Sequence, residues 1–273
     1  MTTAALPVGV FDSGVGGLTV LGALLRALPG ESYLYLGDTA RLPYGTKSAA
    51  TVVRYATRAA ELLVARGIKA LVVACNTASA AALPALRERF AGLPVIGVVE
   101  PGARAACDRS PSGRIAVIAT ESTVAGGAYQ RAILALRADA VISARACQVF
   151  VALAEEGWTE GSVVLAAAHR YLDPLFASGA AGPDTLVLGC THFPVLAPAL
   201  AQVAGAAVSV VDASDAVAAS LHETLAARGL LAGRSGAGAL ELLATDGVER
   251  FARVGATFLG RPIPAGDVRL VDL

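Results

Sequence analysis

The sequence lacks the charge pattern and the long apolar segments that mark several protein classes. Lysine plus arginine and aspartate plus glutamate both number 22 in the 273 residues, and no long run of like charges occurs. A binding face for nucleic acid or for an anionic membrane is therefore not indicated. The sequence also has no uniformly apolar stretch of the length that a membrane-spanning helix needs. We expect neither nucleic acid nor membrane among the partners.

Cysteine and histidine are also scarce. The four cysteines have no C-x-x-C spacing, and the three histidines are scattered along the chain. These absences argue against a disulfide scaffold and against a zinc site, so we expect no bound metal. The segment Met1–Pro7 lacks the basic and apolar parts of a signal peptide. We therefore expect a cytoplasmic location.

What the sequence does contain is apolar segments that alternate with helical patterns. Hydrophobic residues make up 55% of the chain, whereas aromatic residues make up only 5%. Short runs without polar alternation are typical of parallel strands that are covered on both faces. The predicted strands are Val8–Phe11, Tyr33–Leu36, Ala70–Ala74, Val95–Val99, Ile115–Ala119, Ala140–Ser143, Leu186–Leu188 and Val208–Val211. The clearest helical pattern is Thr46–Arg66, which ends at Gly67. The fold class is therefore α/β with a mostly parallel sheet.

The two halves of the chain share three landmarks in the same order. Partners in each pair lie 110 to 115 residues apart: Ser13–Gly17 with Thr123–Gly127, Leu71–Thr77 with Leu186–His192, and Val98–Glu100 with Val210–Asp212. This repetition predicts two similar doubly wound domains, related by pseudo-two-fold symmetry, with the active site in the cleft between them. We expect residues 1–97 plus about 210–273 to form the first domain and residues 98–209 the second.

Two cysteines occupy equivalent positions in this repeat. Cys75 and Cys190 each follow a predicted buried strand, and each is followed by polar residues that can donate hydrogen bonds to a small carboxylate. Cys107 and Cys147 lack such neighbours and are interpreted as core residues. A thiol has a pKa of about 8.5, so modest changes in its surroundings favour either the thiol or the thiolate at neutral pH. Two thiols on opposite faces of one carbon could invert it, one as base and the other as acid.

Four ionisable residues are candidates for adjusting the protonation of the two thiols. Asp12 and Asp38 follow predicted strands, His192 lies two residues after Cys190, and Glu155 follows in the second half. The glycine-rich segment Gly14–Gly17 leaves amide groups free for a small carboxylate, although it lacks a complete phosphate-binding motif.

The scarcity of lysine argues against a pyridoxal-phosphate cofactor. The chain has two lysines, Lys47 at the start of a helix and Lys69 directly before a buried strand. A pyridoxal-phosphate enzyme needs a lysine for its Schiff base, and neither position is suited to that task. We therefore expect a reaction that uses no cofactor.

Four motifs in consistent order, between about residues 8 and 220, resemble the glutamate racemase family of the aspartate/glutamate racemase superfamily. They are Phe11–Leu18, Gly37–Thr39 with Pro43–Gly45, Ala74–Ala78, and Gly189–Pro194. The resemblance implies two α/β domains with the active site between them and no cofactor or metal. It also implies that the enzyme makes D-glutamate for bacterial peptidoglycan. Members are often homodimers, and some act on DNA gyrase.

The resemblance also assigns roles to individual residues. Cys75 and Cys190 would transfer the protons, Asp12 would support Cys75, and His192 with Glu155 would support Cys190. The implied substrate-binding residues are Asp12, Ser13, Tyr44, Gly45, Asn76, Thr77, Thr123, Thr191 and His192.

The chain departs from the family pattern at two places. Ala119–Thr123 stands where the family commonly has Gly-Thr-x-Gly-Thr, and Cys147–Phe150 stands where it has Cys-Pro-Leu-Phe. Because the second departure lies just before Glu155, the adjacent Glu156 stays an alternative for the carboxylate role.

Other functions are compatible with part of this pattern. An aspartate or hydantoin racemase of the same superfamily would retain both thiols, and the motifs favour glutamate only by resemblance. An arylmalonate-type decarboxylase needs one thiol, and a gyrase-binding inhibitor on the same fold would be expected to lose a thiol or Asp12. A thiol-redox protein needs cysteines whose Cα atoms approach within about 7 Å, which a substrate between them would prevent.

Overall fold

A computed structural model describes residues 3–234 and 236–273 of the chain. Met1 and Thr2, which belong to the N-terminal segment considered above, and Ser235 lie outside the described residues. The strands are β1 (Val8–Asp12), β2 (Tyr33–Gly37), β3 (Ala70–Val73), β4 (Val95–Gly97), β5 (Arg114–Ala119), β6 (Val141–Ala146), β7 (Thr185–Gly189), β8 (Ser209–Val211), β9 (Leu240–Ala244) and β10 (Val268–Leu270).

Helices follow almost every strand. They are α1 (Leu18–Ala27), α2 (Ala49–Ala65), α3 (Asn76–Arg89), α4 (Val99–Arg109), α5 (Glu121–Gly126), α6 (Ala128–Leu136), α7 (Val149–Glu155), α8 (Ser162–Phe176), α9 (Ala197–Ala204), α10 (Ser214–Ala227) and α11 (Val248–Leu259). Within the described part of the chain, none of them is long and apolar enough to span a membrane.

The strands form two sheets with the same internal order. The first sheet runs β10-β9-β2-β1-β3-β4 and the second runs β6-β5-β7-β8, and the strand pairs are parallel. The order β2-β1-β3-β4 in the first sheet corresponds to β6-β5-β7-β8 in the second. The α/β fold class with parallel sheets is therefore confirmed, and the repeated strand order is what a duplicated unit requires.

The last 60 residues complete the first sheet. β8 pairs with β7 in the second sheet, whereas α10 packs against α1 beside the first sheet. β9 then pairs with β2, and β10 extends the edge. The domain boundaries near residues 97 and 210 stay a prediction, but the strands before the first boundary and after the second share one sheet.

Two features of the fold differ from the sequence-based expectation. The strands β9 and β10 were not predicted. The helix predicted from Thr46 begins at Ala49, because Tyr44–Thr46 forms a separate 3-10 turn and Lys47 is extended. The side chain of Ser48 caps α2 by accepting a hydrogen bond from the amide of Thr51. Gly67 ends the helix with a φ of 77°, which favours glycine.

A buried ion pair lies at the amino-terminal end of the strands of the first sheet. Lys69 Nζ lies 2.5 Å from Glu31 Oε2, and both side chains are almost fully buried. The same ammonium donates to the carbonyl oxygens of Ala4 and Leu230. Lys69 therefore joins the N-terminal segment, the β1–β2 connection and the segment after α10.

Replacing Lys69 by methionine should destabilise the protein strongly. The Lys69→Met variant leaves the Glu31 carboxylate buried without its cation, which typically costs about 3–5 kcal/mol. The measurement is the free energy of unfolding in urea, with Lys47→Met as the matched control. The control should lie within about 0.5 kcal/mol of the wild type, because Lys47 is only partly buried. Equal stability of the two variants would contradict the prediction.

Candidate active site

A narrow cavity lies where the carboxyl ends of the two sheets meet. Its volume is about 30 Å³, and its wall contains both Cys75 and Cys190. The remaining lining residues come from both halves of the chain: Ser13, Gly14, Leu42, Pro43, Tyr44, Gly45, Asn76, Thr77, Thr120, Gln148, Val151, Glu155, Thr191 and His192. Two thiols that are 115 residues apart in sequence thus share one cavity.

Cys75 stands at the junction of β3 and α3. It occupies the position before the first helical residue, and its Sγ accepts a hydrogen bond from the amide of Ala78 at 3.4 Å. The thiol donates to Ser13 Oγ, also at 3.4 Å. Burial raises the pKa of Cys75 to about 12, and the negative charge of Asp12 contributes to the increase. Cys75 therefore carries its proton at neutral pH.

Cys190 has a different set of neighbours, which together form a chain of contacts. Its Sγ lies 3.8 Å from His192 Nδ1, and His192 Nε2 lies 3.1 Å from Glu155 Oε1. Burial opposes a charge on the imidazole, but the hydrogen bonds to Cys190 and Glu155 outweigh it and raise the pKa of His192 to about 10. The ring is therefore an imidazolium at neutral pH. A positively charged ring therefore lies beside the Cys190 sulfur.

Glu155 is held by two cations. The hydrogen bond with His192 lowers the pKa of Glu155 despite its partial burial, and Arg250 lowers it further. Arg250 Nη2 donates to Glu155 Oε2 at 3.0 Å from α11, which packs against α1 and β10 beside the first sheet. Glu156 is exposed on the surface. Of the two glutamates that the sequence left open, the structure therefore places Glu155 against His192.

Asp12 lies beneath the glycine-rich turn. It is fully buried at the end of β1, where Oδ2 accepts a hydrogen bond from the amide of Gly14 at 2.9 Å. Thr191 Oγ1 donates to Oδ1 across the domain boundary at 3.5 Å. Burial raises the pKa of Asp12. Asp12 does not line the cavity, so any effect on Cys75 is exerted through charge and through the position of the turn.

The role predicted for Asp38 stays a prediction, and the structure shows where its side chain lies. We expected its carboxylate to act on a thiol, but Asp38 is fully buried and does not line the cavity. Its oxygens accept hydrogen bonds from the hydroxyls of Tyr44 at 2.5 Å and Thr245 at 3.0 Å, and Arg41 lies 3.6 Å away. Through the first of these hydrogen bonds, Asp38 holds Tyr44, which lines the cavity.

Thr123 lies next to two threonines of the cavity wall. Its hydroxyl lies 3.2 Å from that of Thr77 and 3.0 Å from that of Thr120. Thr77 and Thr120 line the cavity, whereas Thr123 lies behind them. The substrate contact of Thr123 stays a prediction, and in the structure its hydroxyl contacts two hydroxyls of the cavity wall. The sequence did not single out Thr120, although it directly precedes α5.

The remaining cysteines and lysines do not line this cavity. Cys147 is buried in the second domain near Phe150, and burial raises its pKa to about 12. Cys107 is partly buried on α4. Lys69 is engaged with Glu31 at the opposite end of the sheet, and Lys47 follows the 3-10 turn without lining the cavity. Within residues 3–234 and 236–273, no group of acidic, cysteine and histidine side chains could hold a metal ion.

The sequence did not indicate three functional residues of this region: Thr120, Gln148 and Arg250. Gln148 and Thr120 line the cavity, and Arg250 completes the contacts of Glu155. Arg250 is 95 residues away from Glu155 in sequence. Because its role depends on a contact between domains, no local pattern marks it.

Known proteins resemble this chain along almost its whole length. A family model described as Asp/Glu/hydantoin racemase matches residues 12–221. A glutamate racemase of Geobacter metallireducens is 48% identical, with 97% of this chain and 96% of that protein covered.

Solved structures give the same result. A glutamate racemase isoform from Bacillus anthracis has 36% identity and a TM-score of 0.92, with 98% of each chain covered. The glutamate racemase from Francisella tularensis in complex with D-glutamate has 33% identity and a TM-score of 0.90, with the same coverage.

The Arg250→Met variant should change the titration of Glu155. Because the guanidinium is one of the groups that lower the pKa of Glu155, its removal should raise that pKa. The measurement is an NMR titration of a labelled Glu155 carboxyl group. Arg253→Met is the matched control, since Arg253 is exposed on the same helix. A Glu155 titration that is the same in both variants would show that Arg250 does not act on this carboxylate.

Proposed function

The chain belongs to the Asp/Glu/hydantoin racemase family and is an amino-acid racemase, and from this premise we propose that it interconverts L- and D-glutamate with Cys75 and Cys190 as base and acid. The observation that carries the proposal is the shared cavity. Both thiols line it, and each follows an equivalent strand of a repeated sheet. A carbon held between them would have one sulfur on each face.

Glutamate is the substrate that the relatives favour. The Geobacter metallireducens relative covers this chain almost completely and is a glutamate racemase. The Francisella tularensis structure is a complex with D-glutamate. The cavity offers hydroxyl and amide groups suited to an amino acid with a second carboxylate, among them Ser13, Asn76, Thr77, Thr120 and Thr191. An aspartate racemase is the alternative, since both thiols would serve it equally.

The proposed reaction begins with abstraction of the α-proton by a thiolate. The electron pair left on the α-carbon is delocalised into the adjacent carboxylate, where hydrogen-bond donors stabilise the added negative charge. The thiol on the opposite face then gives its proton to the same carbon, which inverts the centre. One sulfur has gained a proton and the other has lost one, so the two thiols have exchanged roles.

The surroundings of the two sulfurs favour unequal starting states. The raised pKa of Cys75 keeps that group a thiol, ready to act as acid. Cys190 lies beside the imidazolium of His192, and we assign it the role of base. This arrangement would bind the enantiomer whose α-proton faces Cys190, and each turnover would reverse it.

The proposed chemistry is complete without a cofactor. Protons and electrons balance between the substrate and the two sulfurs, so no electron sink or oxidant has to be supplied. We infer that the product serves peptidoglycan synthesis in the cytoplasm and that the enzyme is a homodimer, both on the strength of the family resemblance. An action on DNA gyrase rests on the resemblance alone.

The substrate proposal predicts a clear preference in a polarimetric assay. Purified protein without added cofactor should racemise L-glutamate and D-glutamate, and L-aspartate should react more slowly by about 10²-fold or more, because a polar site left unpaired discriminates strongly. Both enantiomers of glutamate should approach the same racemic endpoint. Faster racemisation of aspartate would overturn the choice of substrate while leaving the proton-transfer scheme intact.

A further inference from the structure

Asn76 is contacted from the opposite domain by a buried tyrosine. Asn76 follows Cys75 at the start of α3 and lines the cavity. The hydroxyl of Tyr129, on α6 of the second half, donates to Asn76 Oδ1 at 2.7 Å. Tyr129 is 1% exposed and Asn76 is 5% exposed, so water does not compete for this hydrogen bond.

This hydrogen bond determines which end of the Asn76 amide faces Tyr129. A buried hydroxyl needs an acceptor, and Asn76 Oδ1 serves as the acceptor for Tyr129. The amide group has one oxygen and one NH₂ group on opposite sides. With the oxygen engaged by Tyr129, the NH₂ group of Asn76 is left to donate to another acceptor, and Asn76 is part of the cavity wall.

A related contact holds the residue that follows the other thiol. Thr19, on α1 of the first half, lies 110 residues before Tyr129, the same separation as between the repeated glycine-rich segments. Its Oγ1 donates to the carbonyl oxygen of Gly16 at 2.9 Å and also lies 3.4 Å from that of Thr191, which follows Cys190. In each half, a helix that follows the first strand of the repeat thus contacts the residue after the thiol of the other half.

We propose that Tyr129 is a positioning residue that orients the Asn76 amide across the domain boundary, so that its NH₂ group binds a carboxylate of the substrate. The inference rests on the proposed function, because it assumes a carboxylate in the cavity. Tyr129 would not touch the substrate itself. It would determine which end of the Asn76 amide the substrate contacts beside Cys75. Because Tyr129 and Asn76 belong to different halves of the chain, the orientation of the Asn76 amide would also depend on how closely the two halves pack.

A double-mutant cycle tests whether Tyr129 acts through Asn76. The variants are Tyr129→Phe, Asn76→Ala and the combination of the two, with kcat/KM for glutamate racemisation as the measured quantity. Loss of the hydroxyl frees the amide to rotate, and one hydrogen bond of this kind corresponds to a decrease in kcat/KM of about fivefold. In the Asn76→Ala background, Tyr129→Phe should change kcat/KM by less than about twofold, because the group it orients is gone.

Tyr33→Phe is the matched control for a buried hydroxyl. Tyr33 is also 1% exposed, and its hydroxyl donates to the carbonyl oxygens of Leu24 and Leu28, away from the cavity. This variant should lose stability in thermal unfolding as Tyr129→Phe does, yet keep the wild-type kcat/KM.

The possible outcomes separate this inference from the proposed function. Equal effects of Tyr129→Phe in both backgrounds would show a purely structural role and overturn the inference alone. The same conclusion would follow if Tyr129→Phe kept the wild-type kcat/KM. A wild-type protein that does not racemise glutamate would overturn the proposed function, and the inference with it.

Discussion

The geometry of this protein depends on the way in which the carboxyl ends of two parallel sheets face each other. The order β2-β1-β3-β4 in the first sheet matches β6-β5-β7-β8 in the second, so β3 and β7 occupy equivalent places. The cysteine that follows each of these two strands lines the same cavity. Close contact between the halves is possible because glycine stands where they meet. A Cβ added at Gly16 would collide with Thr191 and His192, and one added at Gly45 would collide with Thr120.

Within this symmetric framework the two thiols are chemically different. Cys75 is surrounded by hydroxyl and amide groups with Asp12 nearby, whereas Cys190 has an imidazolium that is itself held by Glu155 and Arg250. Symmetry of the backbone places two equivalent thiols, and asymmetry of the side chains gives them different electrostatic surroundings. That combination suits a reaction in which one group must hold a proton while the other lacks it.

Much of the fold could be predicted because parallel strands that are buried on both faces require continuous apolar runs. All eight predicted strands are present. β9 and β10 escaped prediction because β9 contains Glu241, which is exposed, and β10 is a three-residue edge strand in which only Val268 is buried. The composition of β9 and β10 therefore does not indicate that they belong to the first sheet.

The residues that line the cavity could be predicted best where they directly follow a strand. Cys75, Cys190 and their polar neighbours line the cavity as their positions at strand ends indicated. Asp38 also follows a strand, but its side chain turns towards Tyr44 and Thr245. The sequence cannot show which way a residue at a strand end turns, nor can it mark a cross-domain contact such as that of Arg250 with Glu155.

The central claim is that two thiols transfer protons on opposite faces of one carbon. The most direct measurement uses Cys75→Ser and Cys190→Ser in D₂O, starting from each pure enantiomer of glutamate and following both optical rotation and deuterium at the α-carbon. Each variant should lose net racemisation by about 10²–10⁴-fold, the usual contribution of general acid–base catalysis. Residual exchange should be confined to one enantiomer in the first variant and to the opposite enantiomer in the second. Racemisation near the wild-type rate in either variant would contradict the account.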